Sequence, residues 1–378
     1  MANKLVVGID IRDLRVAKTG ARTYLEEILR EFKNNDHGCE IKFFDSPFPV
    51  YGGRNKVLKL AEHVRFFFWK QAVLPVKAYL NNCDVLFCPD YFVPYIHLGY
   101  QPIPLFHDAF FYEYPEQVNP LWLKMFRTLG VSAAKRAPYL VTISEYSKTR
   151  LAHFTGIQPQ KIISIYNGVK KSPARPPDEP GPVITTPTSK FILHVGVLEK
   201  RKNLVKLVEA VKALHQAGHT GYSLVIVGQS SSKDELDGSA ELKAAIKREN
   251  LEDFVMMYGY ASDEELSQLY RTASLYVFPS LNEGFGLPVL EAFHYKLPVL
   301  VAGNTCLPEI GGDAVLCFDP FDSHDICDKI RKVVEDPGLA EALVKKGTER
   351  LKMFSWQKNA EELVKVFHLA AGKGSFRR

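Results

Sequence analysis

The sequence predicts an α/β protein made of two domains, each built around a parallel sheet. Short apolar runs alternate with helical stretches along the chain, which is typical of strand–helix–strand units. The length of 378 residues exceeds what a single hydrophobic core usually serves. Between the halves, residues 170–189 contain six prolines and few large apolar side chains, which indicates a semi-rigid linker.

In the first half, apolar runs predict six strands, and the stretches between them predict helices. The predicted strands are residues 4–9, 40–44, 85–88, 104–107, 139–143 and 162–165. The predicted helices include residues 21–34, 121–137 and 144–154, the last of them capped by Ser144.

The second half repeats this alternation. The predicted strands are residues 191–195, 223–227, 254–257, 275–278, 298–301 and 314–317. The predicted helices include residues 203–217, 240–249, 263–273 and 323–335, with Asn203 expected to cap the first. An amphipathic helix is predicted over residues 355–371.

These elements predict an N-terminal domain over residues 1–172, a proline-rich linker over 173–189 and a C-terminal domain over 190–354. Residues 372–378 are expected to form a disordered tail. Two parallel-sheet domains imply a cleft between them, because ligands bind at the carboxyl ends of parallel strands.

The net charge, the cysteines and the length of the apolar runs limit the classes of function that this chain can have. A formal net charge of +5, without long Lys/Arg runs, does not indicate nucleic-acid binding, but it suits anionic substrates or an anionic membrane surface. The six cysteines lack zinc spacing, and four of them lie in or beside apolar runs and are expected to be small buried residues: Cys83, Cys88, Cys306 and Cys317. No apolar run is long enough to span a bilayer and the first residues resemble a strand, so we expect a cytoplasmic protein.

The most informative motif is Glu283-Gly-Phe-Gly-Leu-Pro-Val-Leu-Glu291, between a predicted strand and a helix. A helix N-terminus offers free N–H groups and positive dipole to an anion such as a phosphate. Carboxylates beside it would accept hydrogen bonds from hydroxyls on the same ligand. An ester of a sugar and a nucleoside diphosphate meets both demands. The donor-binding residues proposed here are Glu283, Gly284, Phe285, Gly286, Leu287 and Glu291.

A second candidate is Gly196-Val-Leu-Glu-Lys-Arg201-Lys202-Asn203, which follows a strand and opens a helix. The planar fork of Arg201 and the point charge of Lys202 are suited to a diphosphate. A solvated basic loop is the alternative.

In the first half, His107 and Asp108 follow a strand, where a histidine can contact a sugar hydroxyl, carry a proton or only cap the strand. Gly20, in a loop before a helix, would let the backbone approach a ligand. Arg22 contacts an acceptor or is simply helix surface. Residues 57–80 are basic and aromatic, as an interfacial helix can be, although residues 66–69 also suit a core.

Together these motifs resemble the retaining family 4 glycosyltransferases, which have the GT-B fold: two Rossmann-like doubly wound domains facing across a cleft. The resemblance implies that the first domain binds the acceptor, that the second binds the nucleotide-sugar, and that the last helix packs back on the first domain. It implies that Arg201 and Lys202 bind the leaving diphosphate, with Gly20 and Gly196 beside it. Glu283 would hold the donor sugar and Glu291 the ribose, while Gly228, Gly259 and Tyr260 would lie by the base. His107 would face the donor sugar.

The implied reaction is transfer of a hexose from a nucleotide-sugar to a hydroxyl of a saccharide, without metal or cofactor. The catalytic candidates are His107, Arg201, Lys202 and Glu283, and the acceptor candidates are Arg22 and Asp108. The chain resembles bacterial mannosyl- and rhamnosyltransferases of surface polysaccharide assembly. GDP-mannose is the first candidate donor, UDP- and dTDP-sugars remain open, and the acceptor can be lipid-linked at an anionic membrane.

Three alternatives come from other classes. A GT-B sugar-nucleotide epimerase and a non-catalytic nucleotide-sugar binder would share the donor site. An NAD-dependent oxidoreductase fits the alternation of strands and helices, but the sequence lacks its glycine fingerprint followed by an acidic residue.

Overall fold

The computed structural model describes residues 4–17, 19–51, 53, 55–118, 120–170, 184–231 and 235–372. Most of the predicted linker, and the predicted tail beyond residue 372, lie outside these ranges. The chain forms two compact units, Met1–Gly168 with Ser355–Arg378, and Val169–Phe354. Among the described residues, no helix combines the length and apolar character needed to cross a membrane.

The first unit contains a four-stranded parallel sheet in the order β2-β1-β3-β4 and a parallel pair, β5-β6. A bridge between Leu105 and Val141 connects the two groups. The strands are β1 Leu5–Asp10, β2 Cys39–Phe44, β3 Val85–Cys88, β4 Gln101–Pro104, β5 Leu140–Thr142 and β6 Ile162–Ser164.

The helices of this unit cover the sheet, and two of them continue through single π-helical turns. They are α1 Thr19–Asn34, α2 Lys56–Phe68, α3 Leu74–Leu80, α4 Phe110–Glu113, α5 Pro120–Met125, α6 Val131–Arg136 and α7 Glu145–Thr155. The π turns are Trp69–Val73 and Phe126–Gly130, so residues 56–80 and 120–136 are each continuous helical runs. Ser144 caps α7 as predicted, accepting from the Ser147 N–H at 3.0 Å.

The second unit is a six-stranded parallel sheet in the order β12-β11-β10-β7-β8-β9. Its strands are β7 Lys190–Val195, β8 Tyr222–Val227, β9 Val255–Gly259, β10 Leu275–Phe278, β11 Val299–Ala302 and β12 Val315–Phe318. Its helices are α8 Leu204–Gln216, α9 Ser239–Arg248, α10 Asp263–Thr272, α11 Leu287–His294, α12 Leu307–Gly311, α13 Ser323–Glu335 and α14 Pro337–Leu351.

The last helix, α15 Trp356–Ala370, belongs to the first unit, which confirms the predicted return of the chain. The Asn359 side chain donates to the Tyr166 carbonyl at 2.9 Å. A Cβ on Gly168 would lie 2.4 Å from the Trp356 backbone nitrogen, so only glycine fits at this position.

Strand β4 lies three residues earlier than predicted. Leu105 N–H donates to the Cys88 carbonyl on one side, and Phe106 N–H donates to the Val141 carbonyl on the other. Pro102 and Pro104, which have no N–H, occupy the alternate positions that face away from β3. His107 therefore follows the sheet rather than ending a strand.

Two further expectations fail. Cys317 was expected to be buried, but it is exposed because β12 is an edge strand. The helix α14 is absent from the prediction, and only two of its residues are buried, so its apolar signal is weak.

Candidate donor site

The strands β7 and β10 are neighbours in the second sheet and run parallel, so the loops after them meet at one sheet edge. The first loop carries Gly196 and a 3₁₀ turn, Lys200–Lys202. The second carries Glu283 and leads into α11. The sheet topology therefore brings the cations Arg201 and Lys202 next to the Glu283 carboxylate, which is about 80 positions away in sequence.

The two cations converge on one carboxylate oxygen. Lys202 Nζ lies 2.5 Å from Glu283 Oε1, and the Arg201 guanidinium lies 3.1 Å from the same oxygen. The Ser280 hydroxyl donates to it at 2.7 Å. Arg201 also donates to Glu199 at 2.7 Å and to the Asn282 carbonyl at 2.8 Å. The solvated basic loop is thus excluded for Lys202, which is only 7% exposed.

This geometry fixes the charge of Glu283. Burial alone would raise its pKa, but Lys202 and Arg201 outweigh burial and lower the pKa of Glu283 to about 2. Burial lowers the pKa of Lys202, and the Glu283 carboxylate opposes that shift. Arg201 and Lys202 face two carboxylates, Glu283 and Glu199, so the cluster offers cations to a diphosphate and carboxylate oxygens to sugar hydroxyls.

Asn203 does not cap α8 with its side chain as predicted. Its backbone is left-handed, with φ 58°, and its side chain makes no capping hydrogen bond. The amide instead donates to the carbonyls of Pro279 at 3.1 Å and Pro320 at 2.7 Å. Asn203 therefore ties the loop after β7 to the loop after β10, and so holds the cations beside Glu283.

Glycine is required where the backbones of neighbouring loops approach. A Cβ on Gly228, at φ +152°, would lie 1.8 Å from the Gly196 carbonyl oxygen. Gly228 N–H donates to the Gly259 carbonyl at 2.8 Å. The backbones at the carboxyl ends of β7, β8 and β9 therefore lie side by side at three glycines, Gly196, Gly228 and Gly259. Tyr260 follows it and is 73% exposed.

The residues of the Glu283 loop divide into two kinds. Gly284 and Leu287 are partly exposed, whereas Phe285 and Gly286 are buried. The Phe285 ring packs against Phe354 at 6.0 Å between centroids, so its side chain anchors the loop. Gly286, at φ 94°, precedes the first residue of α11, whose free N–H groups begin there.

Glu291 lies one helical turn into α11, where Tyr270 donates to it at 2.9 Å. Burial raises the pKa of Glu291. The adjoining cavity has a volume of about 30 Å³, enough for a single water. Lys170 and Asp263, paired at 2.9 Å, form part of its wall. As it stands, this cavity is too small to hold a ribose.

No sequence motif points to His194, which is fully buried in β7. Its Nδ1 bonds to the Val277 carbonyl at 3.0 Å, so Nδ1 carries the proton and Nε2 is an acceptor. A Cβ on Gly196 would lie 3.4 Å from this Nε2. Burial lowers the pKa of His194 to about 4. The only available signal was a histidine inside an otherwise apolar strand.

In the first unit, His107 and Asp108 lie together. Tyr91 donates to Asp108 at 3.1 Å, and the Phe110 N–H donates to the same oxygen at 3.0 Å. The rings of Tyr24 and Tyr91 lie 5.6 and 6.2 Å from the His107 ring. Burial lowers the pKa of His107 to about 4, so it is neutral at pH 7.

Gly20 and Arg22 are both in the first turns of α1, and both are exposed. Gly20 is therefore part of a helix and not of the loop that the sequence predicts. Arg22 pairs with Glu26 one turn later at 2.7 Å. Such an exposed pair favours the interpretation of Arg22 as helix surface.

Family models match most of the chain. The model described as "Glycosyltransferase Family 4" matches residues 18–172, and the model described as "Glycosyl transferases group 1" matches residues 182–350. Each model therefore falls almost entirely within one of the two units of the structure.

Among curated proteins, the chain is 27% identical over 285 residues to the O-antigen chain mannosyltransferase B of Escherichia coli, covering 74% of this chain and 73% of that one. It is 28% identical to the serotype-specific mannosyltransferase WbdA of the same species, covering 62% of this chain but only 29% of that longer protein.

The fold is also found in solved structures. A sucrose-phosphate synthase from Thermosynechococcus elongatus superposes with a TM-score of 0.72 at 17% identity, covering 97% of this chain and 99% of that one. At this identity the likeness concerns the fold. With both family models matched and the cationic loop in place, the chain belongs to the family 4 glycosyltransferases of the GT-B fold.

Proposed function

We propose that this glycosyltransferase moves a hexose from a nucleotide-sugar to a hydroxyl of a saccharide acceptor, with retention of anomeric configuration. The observation that carries the proposal is the convergence of Arg201 and Lys202 on Glu283 at the carboxyl ends of β7 and β10. The two cations can pair with the negative charges of a diphosphate, and the carboxylate can accept hydrogen bonds from the hydroxyls of a sugar.

In this mechanism, Arg201 and Lys202 hold the diphosphate and stabilise the negative charge that develops on it as the glycosidic bond breaks. Glu283, ionised at any physiological pH, accepts hydrogen bonds from donor-sugar hydroxyls. Neutral His107 exchanges a hydrogen bond with the sugar, and Glu291 receives the ribose after its pocket opens. The acceptor attacks on the face that the phosphate leaves, and the phosphate oxygen takes the acceptor's proton.

GDP-mannose is the donor we propose first, because both curated relatives named above are mannosyltransferases. Arg201 and Lys202 supply the positive charge that a divalent ion supplies in other transferases, so we propose transfer without metal or cofactor. The enzyme would act in the cytoplasm, in the biosynthesis of a surface polysaccharide.

We further propose that the acceptor is lipid-linked and that α2 contacts the membrane. Val57, Leu60, Val64 and Phe68 recur at helical spacing and are 74%, 60%, 63% and 55% exposed. The neighbouring Phe66, Phe67 and Trp69 pack inwards, so this part of the aromatic cluster belongs to the core. An apolar helix face of this kind, on a chain of net positive charge, suits an anionic lipid surface.

Vesicle flotation tests the membrane contact. Val64→Asp places a charge in the middle of the exposed face of α2 and should abolish flotation with anionic vesicles. Leu129→Asp is the matched control, since Leu129 is an exposed apolar residue, 44% accessible, outside α2. If wild type and Val64→Asp float equally with the vesicles, α2 does not contact the membrane.

A nucleotide panel tests the donor. We expect GDP to raise the melting temperature more than UDP or dTDP, because a bound nucleotide stabilises the folded state by mass action. The corresponding nucleotide-sugar should then support transfer that is insensitive to EDTA. If a different nucleotide stabilises the protein more than GDP, GDP-mannose is not the donor. If the nucleotide-sugar is converted to an epimer and no glycoside forms, the enzyme is an epimerase and not a transferase.

A further inference from the structure

Two side chains of the loop after β11, residues 303–306, hold the backbone of the Glu283 loop. The Asn304 amide donates to the Leu281 carbonyl at 3.2 Å, and the Cys306 thiol donates to the Glu283 carbonyl at 3.2 Å. Because β10 and β11 are parallel neighbours, the loops after them lie side by side at one sheet edge. The loop after β11 therefore contacts the residue to which we assign the donor sugar.

The residue between these two donors, Thr305, has a left-handed backbone with φ 59°. A β-branched residue rarely adopts this conformation, which persists only where the surrounding contacts fix it. Asn304 and Cys306 lie two positions apart and bond to carbonyls that are also two positions apart in the neighbouring loop. These two bonds hold Thr305 from both sides. Backbone strain of this kind concentrates at binding and catalytic sites.

The two donor side chains act on the Glu283 loop more than on the rest of the fold. In the part of the chain that the structure describes, the Asn304 Oδ1 is buried and accepts no hydrogen bond. A buried oxygen without a partner costs stability, so an apolar side chain of similar size would serve the fold nearly as well. Cys306 is fully buried, and burial raises the pKa of its thiol, so the thiol keeps its proton and remains a donor.

These anchors matter most when the donor is bound. Arg201 and Lys202 hold one oxygen of the Glu283 carboxylate, at 3.1 and 2.5 Å. A diphosphate attracts both cations, so its binding weakens their hold on the carboxylate. The position of Glu283 then depends more on its backbone, which Cys306 contacts directly and Asn304 contacts two residues earlier.

We propose that Asn304 and Cys306 are positioning residues for transfer: by fixing the Leu281 and Glu283 carbonyls, they place the Glu283 carboxylate against the hydroxyls of the donor sugar. The inference rests on the proposed function. The next part of the loop has its own anchor, the Phe285 ring, which packs against another ring. Loss of either hydrogen bond should therefore impair sugar transfer but leave the binding of GDP, which carries no sugar, unchanged.

Two sets of variants test this. Asn304→Leu removes the amide, keeps a similar volume and adds no charge. Asn81→Leu is the matched control, because the Asn81 amide also donates to a backbone carbonyl, that of Lys77 at 2.8 Å, but in the first unit. Cys306→Ala removes the thiol, whereas Cys306→Ser keeps a donor in the same place. For each protein we would measure urea unfolding, GDP affinity by calorimetry, and kcat for transfer from GDP-mannose to methyl α-mannoside.

We expect kcat to fall about tenfold in Asn304→Leu, since a displacement of about 1 Å in a site can cost on the order of 10²-fold. The fall should be smaller in Cys306→Ala, because a thiol is a weak donor. Cys306→Ser should restore most of the lost kcat, and Asn81→Leu should match wild type. GDP should bind all these proteins with the same affinity.

Wild-type kcat in both Asn304→Leu and Cys306→Ala would overturn the proposal, and so would a loss of GDP affinity parallel to the loss of kcat. If Asn304→Leu does not fold, the Cys306 pair decides, and equal kcat in its alanine and serine variants would overturn the proposal. If wild type transfers mannose and the variants match it, this inference alone fails. If wild type forms no glycoside, the proposed function fails and this inference falls with it.

Discussion

Replacing Lys202 with methionine removes one of the two cations of the donor site while keeping a side chain that packs over Phe278. Glu283 keeps Arg201 at 3.1 Å and the Ser280 hydroxyl at 2.7 Å, so its charge stays partly compensated. The stability loss should then be that of one charge-assisted hydrogen bond, about 1.5–3 kcal/mol, and below the ~3–5 kcal/mol of an orphaned buried charge.

Expressed as a free energy, the loss of transition-state stabilisation in Lys202→Met should exceed its loss of folding stability. Removing one preorganised group that stabilises transition-state charge typically lowers kcat by about 10²–10³-fold, or roughly 2.7–4 kcal/mol. We therefore expect Lys202→Met to fold, to melt a few degrees lower and to lose about 10²–10³-fold in kcat, with a smaller effect on the KM of the acceptor.

The assay is transfer under saturating donor and acceptor, with unfolding by urea measured in parallel. Lys200→Met is the matched control, because Lys200 is two positions away, is 49% exposed and pairs with the exposed Glu241 at 3.1 Å. Exposed pairs contribute little, so its kcat should match wild type. A folded Lys202→Met enzyme with kcat within threefold of wild type would refute the assigned role of Lys202.

Two further predictions concern residues behind this site. In the unfolded chain His194 titrates near pH 6.5, and burial lowers its folded pKa to about 4, so its contribution to stability is complete above pH 6.5 and is lost as pH falls towards 4. That contribution is at most roughly 3.4 kcal/mol. His194→Asn, whose amide can still donate to Val277, should flatten the fall in urea midpoint over this window; an unchanged slope would contradict the burial argument. Gly228→Ala places a Cβ 1.8 Å from the Gly196 carbonyl and should lower both the melting temperature and nucleotide affinity. Gly221→Ala, whose Cβ would meet nothing within 4 Å, should do neither, and a Gly228→Ala protein with wild-type nucleotide affinity would show that this backbone approach is not needed for the donor.

The fold was predictable because its signals are local. Strands such as Val85–Cys88 and Leu275–Phe278 are buried on both faces, so they appear in the sequence as continuous apolar runs. The errors fall where tertiary contacts decide. Strand β4 pairs with β3 through residues between its prolines, which both face away from β3, and the Asn203 amide bonds to distant carbonyls rather than to its own helix.

The candidate site was predictable in part. The motifs singled out Arg201, Lys202 and Glu283, and the pairing of β7 with β10 explains why they meet. The sequence could not show His194, since a histidine within an apolar strand carries no motif. Nor could it show the aromatic cluster around Phe92, because Phe66 and Trp122 are far apart in sequence and come together only where both rings contact Phe92.

The most direct test of glycosyl transfer at this site is the NMR spectrum of the product formed from GDP-α-mannose and a methyl α-mannoside. We predict a new disaccharide with an α-anomeric proton signal, formed by the wild type and nearly lost in Lys202→Met. A β-linked product, or a changed nucleotide-sugar without any glycoside, would contradict it.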